Sequence, residues 1–213
     1  MAFKSAPVRF GSLRPKPPLV LSGQRIGLLG GSFNPPHAAH RLITGTALQR
    51  LQLDAVWWVV TPGNPLKSHG ELQDLSERLA LCREMTGGDP RIKITAFESD
   101  LPSAYTAATL AFLKLRFGDV HFVWLMGADN LATLHRWDQW RTIANLMPIA
   151  VVDRPDWRFA SMASPAARCF GRSFVREDYA SRLPMMAPPA WTFLTGPLSD
   201  LSSTAIRAAR KTG

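Results

Sequence analysis

RIGLLGGSFNPPHAAH, residues Arg25 to His40, decides how this chain is read. An apolar run from Arg25 to Leu29 stops at Gly30-Gly31, the mark of a buried strand. A helical pattern follows from about Ala38 to Leu53, with Ile43, Ala47 and Leu51 at i, i+4 and i+8. Strand, glycine turn and helix in that order place free backbone N–H groups where an anion can sit. Two familiar phosphate loops are excluded. No Lys-Ser/Thr follows the glycines, as a P-loop needs, and the spacing of Gly27, Gly30 and Gly31 is not GxGxxG. Instead His37 and His40 stand three residues apart, so both imidazoles share one face of the opening turn and can address one phosphate.

Outward from this stretch the pattern repeats. DAVWWVVT (Asp54 to Thr61) reads as a strand closed by Pro62-Gly63, Leu75 to Met85 as a helix, and Arg91 to Thr95 as a strand. Thr106 is the expected N-cap of a helix running to Phe117 and ended by Gly118. Val120 to Met126, Pro148 to Val152 and Trp191 to Thr195 complete six strands, and a short helix is expected from about Ser203 to Lys211. Strands alternating with helices over short connections predict an α/β fold: a doubly wound, mostly parallel, Rossmann-like sheet with helices on both faces. Residues 24–213 read as one domain, in which 155–190 breaks the rhythm as an irregular insertion.

Residues 1–23 carry Lys4, Arg9, Arg14 and Lys16 with four prolines, and no acidic residue occurs before Asp54. This is a basic, Pro-rich leader expected to be flexible. It has neither the apolar core of a secretory signal nor the length of a membrane span. The net charge of +9 suits polyanionic partners of any kind. Outside the leader the basic residues are scattered, which argues against a nucleic-acid-binding face. Cys82 and Cys169 form no metal spacing and no disulfide framework, which fits a cytoplasmic setting.

GGSFNPPHAAH (Gly30 to His40) resembles the first signature of the cytidylyltransferase-like nucleotidyltransferases, G-(S/T)-F-D-P-x-H-x-G-H. LSSTAIR (Leu201 to Arg207) is similar to their second, I-S-(S/A)-T-x-I-R, at the matching place near the C-terminus. The pieces between resemble the bacterial nicotinate-nucleotide adenylyltransferases: TPGNPLK (Thr61 to Lys67), SAYTAATL (Ser103 to Leu110), LMGADNL (Leu125 to Leu131), HRWDQW (His135 to Trp140) and DRPDW (Asp153 to Trp157). The resemblance runs from about residue 25 to 210. Asn34 stands where the family has Asp and keeps a short polar group for the turn. Ala39 stands for Gly and adds a methyl near the expected phosphate path.

The resemblance implies adenylyl transfer from ATP to nicotinate mononucleotide, giving deamido-NAD and pyrophosphate. The nearest rival acceptor is nicotinamide mononucleotide. It implies an ATP site of Gly30, Gly31, Ser32, Phe33, His37, His40, Gly127, Asp129, Ser203, Thr204 and Arg207, with His37, His40 and Arg207 catalytic. For the acceptor it implies Lys67, Tyr105, Thr106, Trp137 and Arg154. Mg²⁺ would arrive with the ATP, since no carboxylate cluster is evident. Expected partners are these two small molecules, with no nucleic acid or membrane; a homo-oligomer stays open. Plainer readings stand beside these. Trp137 and Trp140 at i, i+3 of one helix would pack as readily as stack, Asp129 would equally cap a helix, and Lys67 and Arg154 would equally be surface charges.

Overall fold

The computed structural model describes residues 16–62, 72–101, 103 and 105–196. Its centre is a seven-stranded sheet, every neighbouring pair of which is parallel. In chain order the elements are β1 (Arg25–Gly31), α1 (Ala38–Arg50), β2 (Ala55–Val60), α2 (Leu75–Thr86), β3 (Ile92–Thr95), α3 (Thr106–Arg116), β4 (His121–Gly127), α4 (Ala128–Thr133), α5 (Trp140–Leu146), β5 (Ile149–Val152), α6 (Arg158–Met162), α7 (Pro165–Cys169), β6 (Phe174–Val175) and β7 (Trp191–Leu194). Short 3₁₀ turns cover Phe97–Asp100, Leu134–Arg136, Gly171–Ser173 and Glu177–Met185.

The strand order is β3-β2-β1-β4-β5-β7-β6. It runs one way from β1 and the other way from β4, so the topological switch lies between these two strands. In open parallel sheets the ligand crevice opens there, beyond the carboxyl ends of the strands.

Both faces are covered, which is why the strands read as nearly unbroken apolar runs. Successive side chains point to opposite faces. Leu28, Trp57 and Trp124 therefore join the core under α3, α4, α5 and α7. Their neighbours Leu29, Trp58 and Leu125 join the core under α1, α2 and the 177–185 turn. Adjacent Trp57 and Trp58 each anchor one core, and both are essentially fully buried.

The doubly wound parallel sheet agrees with the sequence reading, while several element boundaries differ. Helix α1 stops at Arg50 and not at Leu53, because Gln52 takes a left-handed φ of 51°. Tyr105, not Thr106, is the N-cap of α3, and it caps through its carbonyl, which accepts from the N–H groups of Ala108 and Thr109. The same helix ends at Arg116, with the C-cap Phe117 donating its N–H to Leu113 O; Gly118 has no left-handed backbone. Trp137 and Trp140 do not share a helix, since Gln139 with φ 50° separates them and α5 begins at Trp140. Residues 155–190, expected to be irregular, carry α6, α7, β6 and two 3₁₀ turns. The two-residue β6 is too short to show any periodicity, so the sequence pattern carries six strands where the sheet has seven. The helix expected from Ser203 to Lys211 lies outside the described residues. Among those described, no helix is long and apolar enough to cross a membrane.

Candidate active site

The carboxyl end of β1 leads into the loop before α1, and this loop is tied to its neighbours. The N–H of Thr61, just past β2, donates to Gly31 O at 3.0 Å. Gly30 cannot carry a side chain here, because a Cβ would run into the ring of Trp124 on β4. Its absence of side chain thus serves packing between β1 and β4. Phe33 is held at a positive φ of 46°. Its ring is buried and stacked on Trp58, with centroids 5.0 Å apart and planes 16° apart. Burial of that ring offsets the cost of the left-handed backbone.

The two histidines meet on the first turn of α1, as the i, i+3 spacing predicts. Their ring centroids lie 3.9 Å apart. His37 is the N-cap, and its backbone N–H donates to Nδ1 of His40 at 3.2 Å. The His40 ring lies 4.6 Å from Phe33. Thr44 secures the same turn: its hydroxyl donates to His40 O at 2.8 Å and accepts from Trp58 Nε1 at 2.8 Å. The β2 strand therefore positions a histidine it never touches in sequence.

On the far side of the switch, β4 ends at Gly127 and α4 begins immediately. Asp129 on its first turn receives Arg154 Nη1 at 2.8 Å, from just beyond β5. Gly127 makes room for this pair, since a Cβ would stand 2.5 Å from Asp129 Oδ1 and 3.0 Å from Arg154 Cδ. Asp153 beside it is buried, accepts the N–H of Arg154 at 2.9 Å and pairs with Arg158.

Burial first, and neighbouring groups second, set the state of the histidines. Burial, then the Arg154 charge, lowers His37 from 6.5 to about 4, with Asp129 pulling weakly the other way. Burial, then the neighbouring His37, lowers His40 to about 3. Both rings are neutral near pH 7. The His40 Nδ1 already accepts a hydrogen bond from the His37 backbone N–H, so the ring's own proton belongs on Nε2, which is a donor. His37 Nδ1 and Asp129 Oδ1 are buried atoms with no hydrogen-bond partner. Such orphaned polar atoms in a cleft carry a cost that a bound polar molecule can relieve.

The structure thus brings together His37, His40, Gly127, Asp129 and Arg154. Arg154, expected on the acceptor side, and Asp129, expected in the ATP site, are engaged with each other. Ser32 presents its carbonyl inward, to Arg78. Phe33 contributes no free ring, being part of the core. Tyr105 is exposed and Thr106 half-buried at the start of α3, while Trp137 is half-buried against the core. Lys67, Ser203, Thr204 and Arg207 lie outside the described residues. Asn34, expected to bond within its own loop, reaches beyond it: its Oδ1 accepts from Gln73 N at 3.4 Å, tying the loop to the approach to α2. Ala39 is buried. Among the described residues there is no group of three or more His, Cys, Asp or Glu able to hold a metal ion.

Two charged residues went unnoticed in the sequence. Glu98 is buried after β3, accepts from Thr109 Oγ1 at 2.6 Å, and is pushed up from its ordinary value by burial. Arg78 on α2 is 1% exposed. Its signal was present but faint: it sits four residues before buried Cys82, on the apolar stripe of α2.

Comparison with known proteins places this geometry. Residues 28–209 match the family model described as Cytidylyltransferase-like. The chain is 55% identical over 185 residues to "Probable nicotinate-nucleotide adenylyltransferase" of Rhizobium meliloti (strain 1021), covering 87% of this chain and 98% of that protein. It is 56% identical over 183 residues to the protein of the same name from Bradyrhizobium sp. (strain ORS 278), covering 86% and 95%. The Plasmodium falciparum nicotinic acid mononucleotide adenylyltransferase complexed with NaAD has the same fold. It superposes with a TM-score of 0.66 at 16% identity, over 87% of this chain and 83% of that one.

Proposed function

The chain belongs to the cytidylyltransferase-like family, and on that footing we propose that it transfers the adenylyl group of ATP to nicotinate mononucleotide, releasing pyrophosphate. The observation that carries the reading is the pair of neutral histidines on the first turn of α1, at the switch between β1 and β4.

A 5′-phosphate monoester is itself the nucleophile, so the reaction asks for no general base. It attacks the α-phosphorus of ATP, the bond to the β-phosphate breaks, and pyrophosphate leaves with the electron pair. Positioning and stabilisation of charge on the transferring group can then supply most of the rate. His40 offers its Nε2–H, and His37 one imidazole N–H, to the oxygens of that group. Such donors gain strength as charge develops in the transition state, because they are fixed in place beforehand. The helix start beneath them adds free backbone N–H groups of the same polarity. A triphosphate near the rings also favours their protonated forms, so binding raises the two depressed pKa values and strengthens the contacts.

Ser203, Thr204 and Arg207 complete the triphosphate contacts in this reading, and Lys67, Tyr105, Thr106, Trp137 and Arg154 the acceptor side. Mg²⁺ enters as part of the substrate Mg·ATP, where it neutralises triphosphate charge. The test is pyrophosphate release from ATP and Mg²⁺ with nicotinate mononucleotide and, separately, nicotinamide mononucleotide. Release with the acid form at the higher kcat/KM is expected. Release only with the amide would reassign the acceptor, and release with neither would defeat adenylyl transfer to a pyridine nucleotide.

A further inference from the structure

Arg78 is a charged side chain buried with no carboxylate bonded to it among the described residues. Instead it gathers backbone carbonyls. Its Nε donates to Gln73 O at 2.9 Å, and Nη1 donates to Ser32 O and to Thr61 O, both at 2.8 Å. Nη2 donates to Pro62 O at 3.3 Å. These carbonyls come from three separate places: the loop between β1 and α1, the chain leaving β2, and the approach to α2. Asn34 Oδ1 accepts the N–H of that same residue, Gln73, at 3.4 Å.

We propose that Arg78 is a positioning residue for the adenylyl transfer, locking the loop after β1 to the chain leaving β2 through one planar, four-armed set of hydrogen bonds. The inference rests on the function proposed above.

Three physical points support it. A desolvated guanidinium is expensive unless its donors are met, so the carbonyls must stay where they are. Ser32 O is turned toward Arg78, which fixes that peptide's orientation directly ahead of Phe33 and the histidine turn. Only a flat fork reaches Ser32 on one arm and Pro62 on another; the single nitrogen of a lysine cannot span them. Burial lowers the Arg78 pKa from its ordinary value, but an arginine stays charged throughout the working range of pH. Charge without the fork is therefore insufficient, which separates this role from simple electrostatic filling.

The experiment compares wild type, Arg78→Lys and Arg78→Ala in the pyrophosphate-release assay, per folded molecule and well below each variant's Tm. Arg78→Lys is expected to lower kcat about 10- to 100-fold, because small misplacements of a reacting group cost that much. KM for ATP should change far less, since misalignment is felt mainly in the transition state. Arg78→Ala should also be slow, and free guanidinium ion at sub-denaturing concentration should restore part of its kcat without stimulating wild type. Wild-type kcat in folded Arg78→Lys would overturn the proposal. So would activity that merely tracks the folded fraction with no guanidinium response, or failure of both variants to fold, which would leave Arg78 as a structural plug. No turnover by wild type would instead defeat the adenylyl-transfer reading itself, and the two failures are thus distinct.

Discussion

The backbone N–H of His37 donates to Nδ1 of His40 at 3.2 Å, so the first turn of α1 selects the tautomer of its own third residue. The remaining proton of His40 sits on Nε2 and is committed to donating. His40→Ala is expected to lower kcat by roughly 10²-fold, the usual cost of losing one fixed donor to developing charge. The fold should survive, because Phe33 and Trp58 still stack on each other. Steady-state kinetics with a circular dichroism control checks this, and unchanged kcat in the folded variant would remove His40 from the mechanism.

Stability should fall as the solution is acidified from pH 6.5 toward 3. The two histidines titrate near 6.5 when unfolded but at about 4 and about 3 in the folded chain. Above 6.5 they are neutral in both states and contribute no pH dependence. Below it the unfolded chain binds protons that the folded one refuses, so the equilibrium shifts toward unfolding. Thermal melts from pH 7 to 4 should show the decline, and the double variant His37→Asn/His40→Asn should show a shallower one. Parallel curves for the two proteins would contradict the assignment.

Arg154→Ala should raise the His37 pKa from about 4 toward its ordinary value while leaving it below 6.5. The Arg154 charge is the second cause of the depression, and burial, the first, remains. Titration of the imidazole resonances by NMR gives the answer directly. A value that stays put or falls would mean the arginine charge is not felt at the ring.

Gly30→Ala should destabilise the protein by about 1–3 kcal/mol, the range for overpacking a well-filled core. The new methyl meets the Trp124 ring. For a chain of this size each kcal/mol corresponds to roughly 2–4 °C in Tm. Trp124→Leu added to Gly30→Ala should recover part of the loss. If the double variant is less stable than the sum of the two single changes, the clash is not the cause.

Of the two cysteines, one should react with a thiol reagent in the native state. Cys82 is buried, and burial pushes its thiol up to about 12, whereas Cys169 is exposed. Labelling at pH 8 followed by mass spectrometry should find Cys169 modified and Cys82 modified only after denaturation. Native labelling of Cys82 would show that α2 opens readily.

Much of this protein was legible in its sequence because the determining signals are local. Apolar runs broken by glycine gave the strands, periodicity gave the helices, and the three-residue spacing of His37 and His40 placed both rings on one turn before any fold was known. Local signals also misled where they were weak. Thr106 looked like a cap, but the carbonyl of Tyr105 does that work. Trp137 and Trp140 looked like helix neighbours until the backbone at Gln139 separated them. Other facts belong to tertiary structure alone. The strand order that puts β1 beside β4, the Asp129–Arg154 pair 25 residues apart, and the four carbonyls around Arg78 from as far as 46 residues away arise only when the chain packs. The burial that leaves both histidines neutral is likewise a property of the packed site. A sequence motif can specify which groups are present and on which turn they sit. Their protonation and alignment depend on desolvation and on charges brought close from distant segments, and those exist only in the folded molecule.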